Sequence, residues 1–500
     1  MIPGTSMMQA PHQLAYGLLE SGQAERALQV IEPWARLPDA PHAVLAAYAS
    51  ALKATGRPME ALEIHRTATK RFPNSGVAWH NLGASLANTG AYPDAIKAIE
   101  RGFRAGLDAA ASWQVWARAH QWLMNLEKAE RGYREALKRD PGNIEAGRDL
   151  AQLVWMRSAD VEAAAAVFAT LPWSGEVAVH QARLFKGADD PARALQVLED
   201  ALPRAPGDSG LVVNAAQMAM EAGAWSRALV YAETGVQRRP GDFNALETLA
   251  VAHLALDQAA ESLAVARQIH AMEPLNQAGI AVLASAARAA GGAEYEKLYN
   301  YEAFVRSSEI GIPKGWPTRE AFLRDLKAAL VRLHVMKTHP LDQSLRHGSQ
   351  TTQDLRSSDE PAIRAFFEAL QPLVQSYMDA VGDGDDPLRV RNSRAYGLAG
   401  AWSVRLRPHG YHVDHIHPQG WLSSAFYVET PAAAVEGPAH EGWIKFGTPG
   451  LPLREKPEPA HYVRPEPGRL VLFPSYMWHG TVPFTTDEHR MTLAFDIVPA

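Results

Sequence analysis

Four side chains able to bind a metal crowd into six residues of this 500-residue chain: His412, Asp414, His415 and His417, in the run Tyr-His-Val-Asp-His-Ile-His-Pro. A further histidine, His479, follows the apolar run Arg-Leu-Val-Leu-Phe-Pro, and eleven residues later come Arg490 and, two beyond it, Thr492. Imidazole and carboxylate are the ligands that first-row divalent metals accept. In an extended segment residues two apart share a face, so His412 with Asp414, or His415 with His417, each presents a two-ligand edge. Arg490 and Thr492 open the last strand with both side chains on one face. The chain has no cysteine, so thiolate metal sites, disulfides and cysteine nucleophiles are excluded. Any metal must be held by His, Asp or Glu, and eight of the nineteen histidines lie in the last hundred residues. Taken singly, His440, His461 and His489 read as surface or hydrogen-bonded residues, and Trp402, Trp421, Trp443 and Trp478 as core or pocket walls.

These residues sit on short strands punctuated by Gly and Pro. Residues 401–406, 422–428, 443–446, 470–473 and 491–498 are the strand candidates, a pattern that predicts a β-barrel or sandwich. On the second strand, Ser423 or Ser424 faces the site in one register, with strand packing the equal alternative. Two helices precede them. Thr318 caps one whose stripe is Phe322, Leu326, Leu330 and Leu333. The other starts at Glu360-Pro361 and carries Ile363, Phe366, Phe367, Leu370 and Val374. Between them, residues 339–351 are polar and read as an ordered loop, with Arg346 and His347 on its surface.

Upstream, the first 290 residues are rich in Ala and Leu and repeat. Ala27, Ala61, Ala95 and Ala129 are spaced by 34, as are Ala194 and Ala228, and Pro206, Pro240 and Pro274. Each alanine marks a close approach of two helices, and each proline ends a second helix because its ring cannot continue the hydrogen-bond ladder. The whole chain is 47% hydrophobic and 21% charged, the balance of a soluble globular protein. Lys and Arg total 49 against 55 Asp and Glu, a net charge of −6 that argues against nucleic acid as partner. There is no apolar run of membrane-spanning length, and residues 1–8 lack the features of a secretory signal, so a cytoplasmic protein is expected.

The repeat resembles the tetratricopeptide repeat, with Trp79, Leu82, Gly83, Leu86, Ala95 and Ile99 on matching positions. Trp113, Trp116, Ala117, Ala129, Tyr133, Ala136 and Pro141 mark another copy. Seven or eight copies fit, with an irregular one near 160–190. That resemblance implies a helical solenoid whose concave face takes a protein or peptide. The histidine constellation resembles the non-haem Fe(II)/2-oxoglutarate oxygenases. The stretches 402–407, 415–418, 420–428, 442–447 and 467–474 are similar to a bacterial group of such oxygenases fused to tetratricopeptide repeats, as is the 339–351 segment.

The resemblance implies a multidomain α + β chain. Residues 1–295 would form the repeat solenoid, 296–390 a helical preface and loop, and 391–500 a double-stranded β-helix (jelly-roll) oxygenase core. It implies Fe(II) on His415, His417 and His479, with His412 and Asp414 the alternative first pair; in the former case Asp414 orients an imidazole. Arg490 and Thr492 would hold the far carboxylate of 2-oxoglutarate, with Ser424 beside it, and O2 would be the oxidant. No catalytic residue beyond the metal centre is implied. The expected activity is hydroxylation of a protein or peptide side chain recruited by the repeats. A non-catalytic scaffold with a structural or sensing metal barrel, and a small-molecule hydroxylase, are the alternatives. The sequence sets no oligomeric state.

Overall fold

The computed structural model describes residues 10–341, 343–437 and 439–500; residues 1–8, read above for a signal, and Asp342 of the 339–351 segment lie outside them. The chain divides into two compact units, residues 1–150 and 151–500. No helix among the described residues is long and apolar enough to cross a membrane.

The first unit is a run of helix pairs, from Pro11–Glu20 with Ala24–Ala35 to Ala110–Trp122 with Leu126–Arg139. The 34-residue period becomes packing here. Ala27, Ala61, Ala95 and Ala129 are all at most 3% exposed, each where a larger side chain would push two helices apart.

The second unit continues the repeats and then changes architecture. The irregular copy has a physical counterpart in the helix Val161–Phe168, only eight residues long. Regular pairs resume with Gly175–Gly187 and Pro191–Ala201, then Ser209–Glu221 and Trp225–Arg238, and the last repeat helix, Gln277–Ala290, ends at Gly291 in the left-handed conformation. Thr318 accepts the Ala321 amide and caps Arg319–Val331, with Phe322, Leu326 and Leu330 buried; Leu333 lies past its end. Pro361 opens the 21-residue helix Pro361–Val381.

The described residues form nine strands: β1 (Arg306–Glu309), β2 (Leu345–Gln350), β3 (Tyr396–His412), β4 (Leu422–Glu429), β5 (Ile444–Phe446), β6 (His461–Val463), β7 (Arg469–Pro474), β8 (His479–Thr481) and β9 (Arg490–Pro499). They form an antiparallel sheet in the order β1-β7-β4-β9-β3-β2 and a smaller one in the order β6-β5-β8. The 339–351 segment is therefore not simply a loop. It holds β2, a polar edge strand with a register shift between Arg346 and Gly348, which erases the alternation that would have betrayed it.

Strand β9 separates the two faces of the larger sheet. Phe495 points to one face, where its ring and that of Phe426 lie 6.1 and 4.8 Å from Phe366 of the Pro361–Val381 helix. Arg490, Thr492, Ala494 and Asp496, in the alternate positions, line a cavity. The two sheets meet at Phe473, Phe446 and His479, whose ring centroids are 4.5–6.3 Å apart.

The late repeat helices are bonded into this sheet domain. Trp478 Nε1 donates to Ser285 Oγ (2.9 Å), Arg288 donates to the Gly447 carbonyl (2.9 Å), and Trp155 Nε1 donates to the His339 carbonyl (2.9 Å). Tyr299 clasps the turn before β8: its hydroxyl donates to the Tyr476 carbonyl and accepts from the Trp478 amide.

Candidate metal centre

His415, His417 and His479 come together at one end of the cavity, with one nitrogen from each lying within 4.8 Å of the others. His479 opens β8; His415 stands in an isolated bridge opposite it, held by reciprocal 2.9 and 3.0 Å backbone hydrogen bonds. His417 follows in irregular chain, its amide bonded to the Ser475 carbonyl. The centroids are 4.2 Å apart for His415 and His479, and 5.1 Å for each of the other pairs.

What surrounds each ring decides its tautomer. His415 Nδ1 lies 2.8 Å from the Val413 carbonyl, and His479 Nδ1 2.9 Å from the Met477 carbonyl. A carbonyl only accepts, so both Nδ1 atoms carry the proton. His417 Nδ1 lies 2.5 Å from Asp496 Oδ1, a carboxylate oxygen, with the same consequence. That leaves Nε2 as the unprotonated nitrogen of the neutral His415 and His479 rings, and His417 Nε2 lies 3.2 Å from His415 Nε2. Burial, then the neighbouring His417, pushes the pKa of His415 down to about 3. Burial, then His415, holds His479 well below the ordinary imidazole value. The neutral form that results is the form that ligates metal.

The other early pair is placed differently. His412, at the end of β3, has its Nδ1 2.9 Å from Ser344 Oγ, which in turn lies 3.2 Å from His415 Nε2. Asp414 turns to Lys445, with Oδ2 and Nζ 2.9 Å apart in a largely buried pair. The chain closes on Asp414 through two glycines. A Cβ on Gly480 would lie 2.5 Å from Asp414 Oδ1, and one on Gly450 would lie 1.8 Å from its carbonyl oxygen. Neither His412 nor Asp414 belongs to the three-nitrogen group.

Behind His417 stands a carboxylate network that sequence reasoning missed. Asp496 also accepts from Ser423 Oγ (3.0 Å), which is 2.9 Å from Ser475 Oγ. Its signal was an acid between Phe495 and Ile497 in an otherwise apolar strand, six residues after Arg490 and so on the same face. Ser424, the serine expected beside a co-substrate, borders the cavity, but its hydroxyl is taken by the Phe495 backbone, donating to O and accepting from N at 2.8 Å each. The alternation of β4 turns Ser423, not Ser424, to the histidines.

Arg490 is 2% exposed and forms no ion pair with a carboxylate among the described residues. Its Nε donates to the Gly442 carbonyl (3.0 Å), and its guanidinium lies 5.1 Å from the centre of the Tyr427 ring. Burial lowers the Arg490 pKa and raises that of Tyr427. The buried Tyr427 hydroxyl faces the Arg490 guanidinium, and Thr492 pairs with Tyr427 across the strands. A buried guanidinium without a counter-charge is costly, and it fits an anionic ligand. The cavity that joins this end to the three histidines has a volume of about 1070 Å³. The donor set therefore suits a borderline divalent metal at one end and a carboxylate at the other.

Comparison with known proteins agrees in kind. Residues 400–496 match the family described as "Putative 2OG-Fe(II) oxygenase", and residues 41–85 match the tetratricopeptide repeat. No curated protein matches the chain. Among solved structures, it is similar to the C-terminal part of a TPR repeat-containing protein from Cytophaga hutchinsonii: 16% identity, 47% of this chain, 98% of that one, TM-score 0.34. It is also similar to MamA from Desulfovibrio magneticus RS-1 (24%, 33%, 94%, 0.28) and to a tetratricopeptide repeat protein from Parabacteroides merdae (16%, 48%, 97%, 0.35). The chain thus joins a segment that matches the tetratricopeptide repeat to one that matches that oxygenase family.

Proposed function

We propose that this chain is an Fe(II)- and 2-oxoglutarate-dependent dioxygenase that hydroxylates a protein or peptide side chain, in the cytoplasm. The observation that supports the reading is the convergence of three imidazoles, their Nδ1 atoms turned to Val413 O, Met477 O and Asp496, in a cavity that also holds Arg490, a buried cation with no carboxylate partner among the described residues. His415, His417 and His479 would hold the iron; Arg490, with Thr492 and the Tyr427 hydroxyl, would hold the far carboxylate of 2-oxoglutarate. With O2, this centre supplies the oxidation of an unactivated C–H bond.

The protein's own contribution is placement. Asp496 fixes the His417 ring and would bring a negative charge to within one imidazole of a metal held by three histidines, where the commoner triad has its carboxylate on the metal. Trp402 beside His417, and Phe446 and Phe473 beside His479, keep water from the rings. Strands β3–β9 are read as the double-stranded β-helix core over 391–500, residues 296–390, which add β1 and β2 to the larger sheet, as its helical preface, and 1–295 as the solenoid that recruits substrate.

Two results are expected. The protein with Fe(II), O2 and 2-oxoglutarate releases succinate, and peptides from a cell extract raise the rate more than metabolite pools do. No succinate from folded, iron-loaded protein would leave a binding scaffold instead. Asp496→Asn keeps an acceptor for His417 Nδ1 but removes the charge. It is expected to weaken Co(II) binding about tenfold, by competition with a chelator, at unchanged secondary structure. Equal affinity would show that the carboxylate only fills space.

A further inference from the structure

The cavity is larger than a five-carbon dicarboxylate requires. About 1070 Å³ is at the upper end of small-molecule pockets, which run to roughly 1,000 Å³. Its outer wall comes from the repeats. Arg183 and Lys186, three apart on the helix Gly175–Gly187, share one face, and Gln217 and Glu221, four apart on Ser209–Glu221, share another. Opposite them, Arg346 and Gln350 come from β2, the edge of the larger sheet, with no strand partner on its outer side among the described residues.

The charges on this wall do not balance. The carboxylates are engaged: Asp189 by Arg346 (3.2 Å), Glu221 by Lys186 (2.6 Å), Asp414 by Lys445, and Asp496 by His417. Among the described residues the exposed Arg183 meets the Asn214 side-chain oxygen at 3.5 Å and no carboxylate, and the exposed Lys456 has no carboxylate partner. Two positive charges remain at the solvent side, apart from the buried Arg490.

We infer, resting on the oxygenase reading above, that the substrate is an extended acidic polypeptide segment. Arg183 and Lys456 pair with its carboxylates while the target side chain reaches the three histidines. An open sheet edge suits an extended chain, which can add backbone hydrogen bonds there; a small metabolite makes no use of it.

The test uses the full-length protein loaded with Co(II) and 2-oxoglutarate. Short labelled peptides of one Gly-Ser-Ala frame, carrying glutamates, lysines or neither, are titrated by fluorescence anisotropy beside a single-stranded oligonucleotide. The glutamate peptide is expected to bind about tenfold more tightly than the neutral one. In the double variant Arg183→Glu, Lys456→Glu the lysine peptide is expected to bind best. Equal binding of the three peptides, a preference that survives the double reversal, or tighter binding of the oligonucleotide would each overturn the inference. 2-Oxoglutarate affinity is measured on the same sample. If it binds while the peptides do not discriminate, only the substrate class falls; if it does not bind, the oxygenase reading falls with it.

Discussion

His479→Ala is expected to abolish tight metal binding, a larger loss than the roughly 10–100-fold that follows when a ligand is merely mis-held. Among the described residues three side chains offer nitrogens to the centre, and the carbonyl behind His479 has already committed its Nδ1–H, so no other atom of the residue can substitute. The imidazole is also packed against Phe473 and Phe446, and truncation leaves a cavity that destabilises the domain on its own account. His479→Gln, which keeps most of the volume, separates the two effects: metal affinity falls while thermal stability is largely retained. His412→Ala is the contrast. Its ring lies outside the three-nitrogen group, and metal binding is expected to survive. Equilibrium dialysis against Co(II) reads all three variants. A loss in His412→Ala equal to that in His479→Ala would move the early ligands to His412 and Asp414.

Arg490→Met is expected to destroy 2-oxoglutarate binding without unfolding the protein. Removing one partner of a buried, hydrogen-bonded charge pair costs about 2–5 kcal/mol, or roughly thirty- to several-thousand-fold in Kd. In the unliganded protein the same change removes a 2%-exposed cation that no carboxylate neutralises, so the melting temperature is expected to hold or rise. Metal affinity is expected to stay, because no triad nitrogen bonds Arg490. Calorimetric titration of 2-oxoglutarate into Co(II)-loaded protein measures the loss. Undiminished affinity in a folded variant would mean that Arg490 serves the sheet rather than a ligand. Tyr427→Phe should cost less, about tenfold or under, since only a neutral donor is lost.

Much of this was legible in the residues, for identifiable reasons. A small side chain every 34 residues has one use in paired helices, and the buried Ala27, Ala61, Ala95 and Ala129 are that use. His415, His417 and His479 were visible because imidazole is the commonest metal ligand of a cysteine-free chain. Arg490 and Thr492 were visible because a period of two puts them on one face. What was hidden has no side-chain signature. The acceptors that set the tautomers of His415 and His479 are backbone carbonyls, which any residue supplies. Asp496 was passed over because a single acid in an apolar strand reads as an exception until His417 is seen beside it. Strands β1, β6 and β8 are three or four residues long, too short for alternation to emerge. Strand β3 runs seventeen residues where six were expected, because Arg407, Pro408, His409 and Gly410 look like a turn. The chain passes there from pairing with β9, which ends at Leu406, to pairing with β2 again at Tyr411 and His412.

The contacts of Trp478 with Ser285, and of Tyr299 with the turn before His479, place the last repeat helix and the segment after it next to the distal histidine. The late repeat helices and the candidate site therefore share an element, and helices Gly175–Gly187 and Ser209–Glu221 line the same cavity.

The central claim is that the three histidines and Arg490 together bind iron and 2-oxoglutarate. Anaerobic titration of 2-oxoglutarate into the full-length protein with one equivalent of Fe(II), followed by visible absorption, tests it before any substrate is known. A weak charge-transfer band that saturates at one 2-oxoglutarate per iron, and is lost in His479→Gln, is the expected result. Folded protein that binds Fe(II) but develops no band, or a band undiminished in His479→Gln, would contradict it.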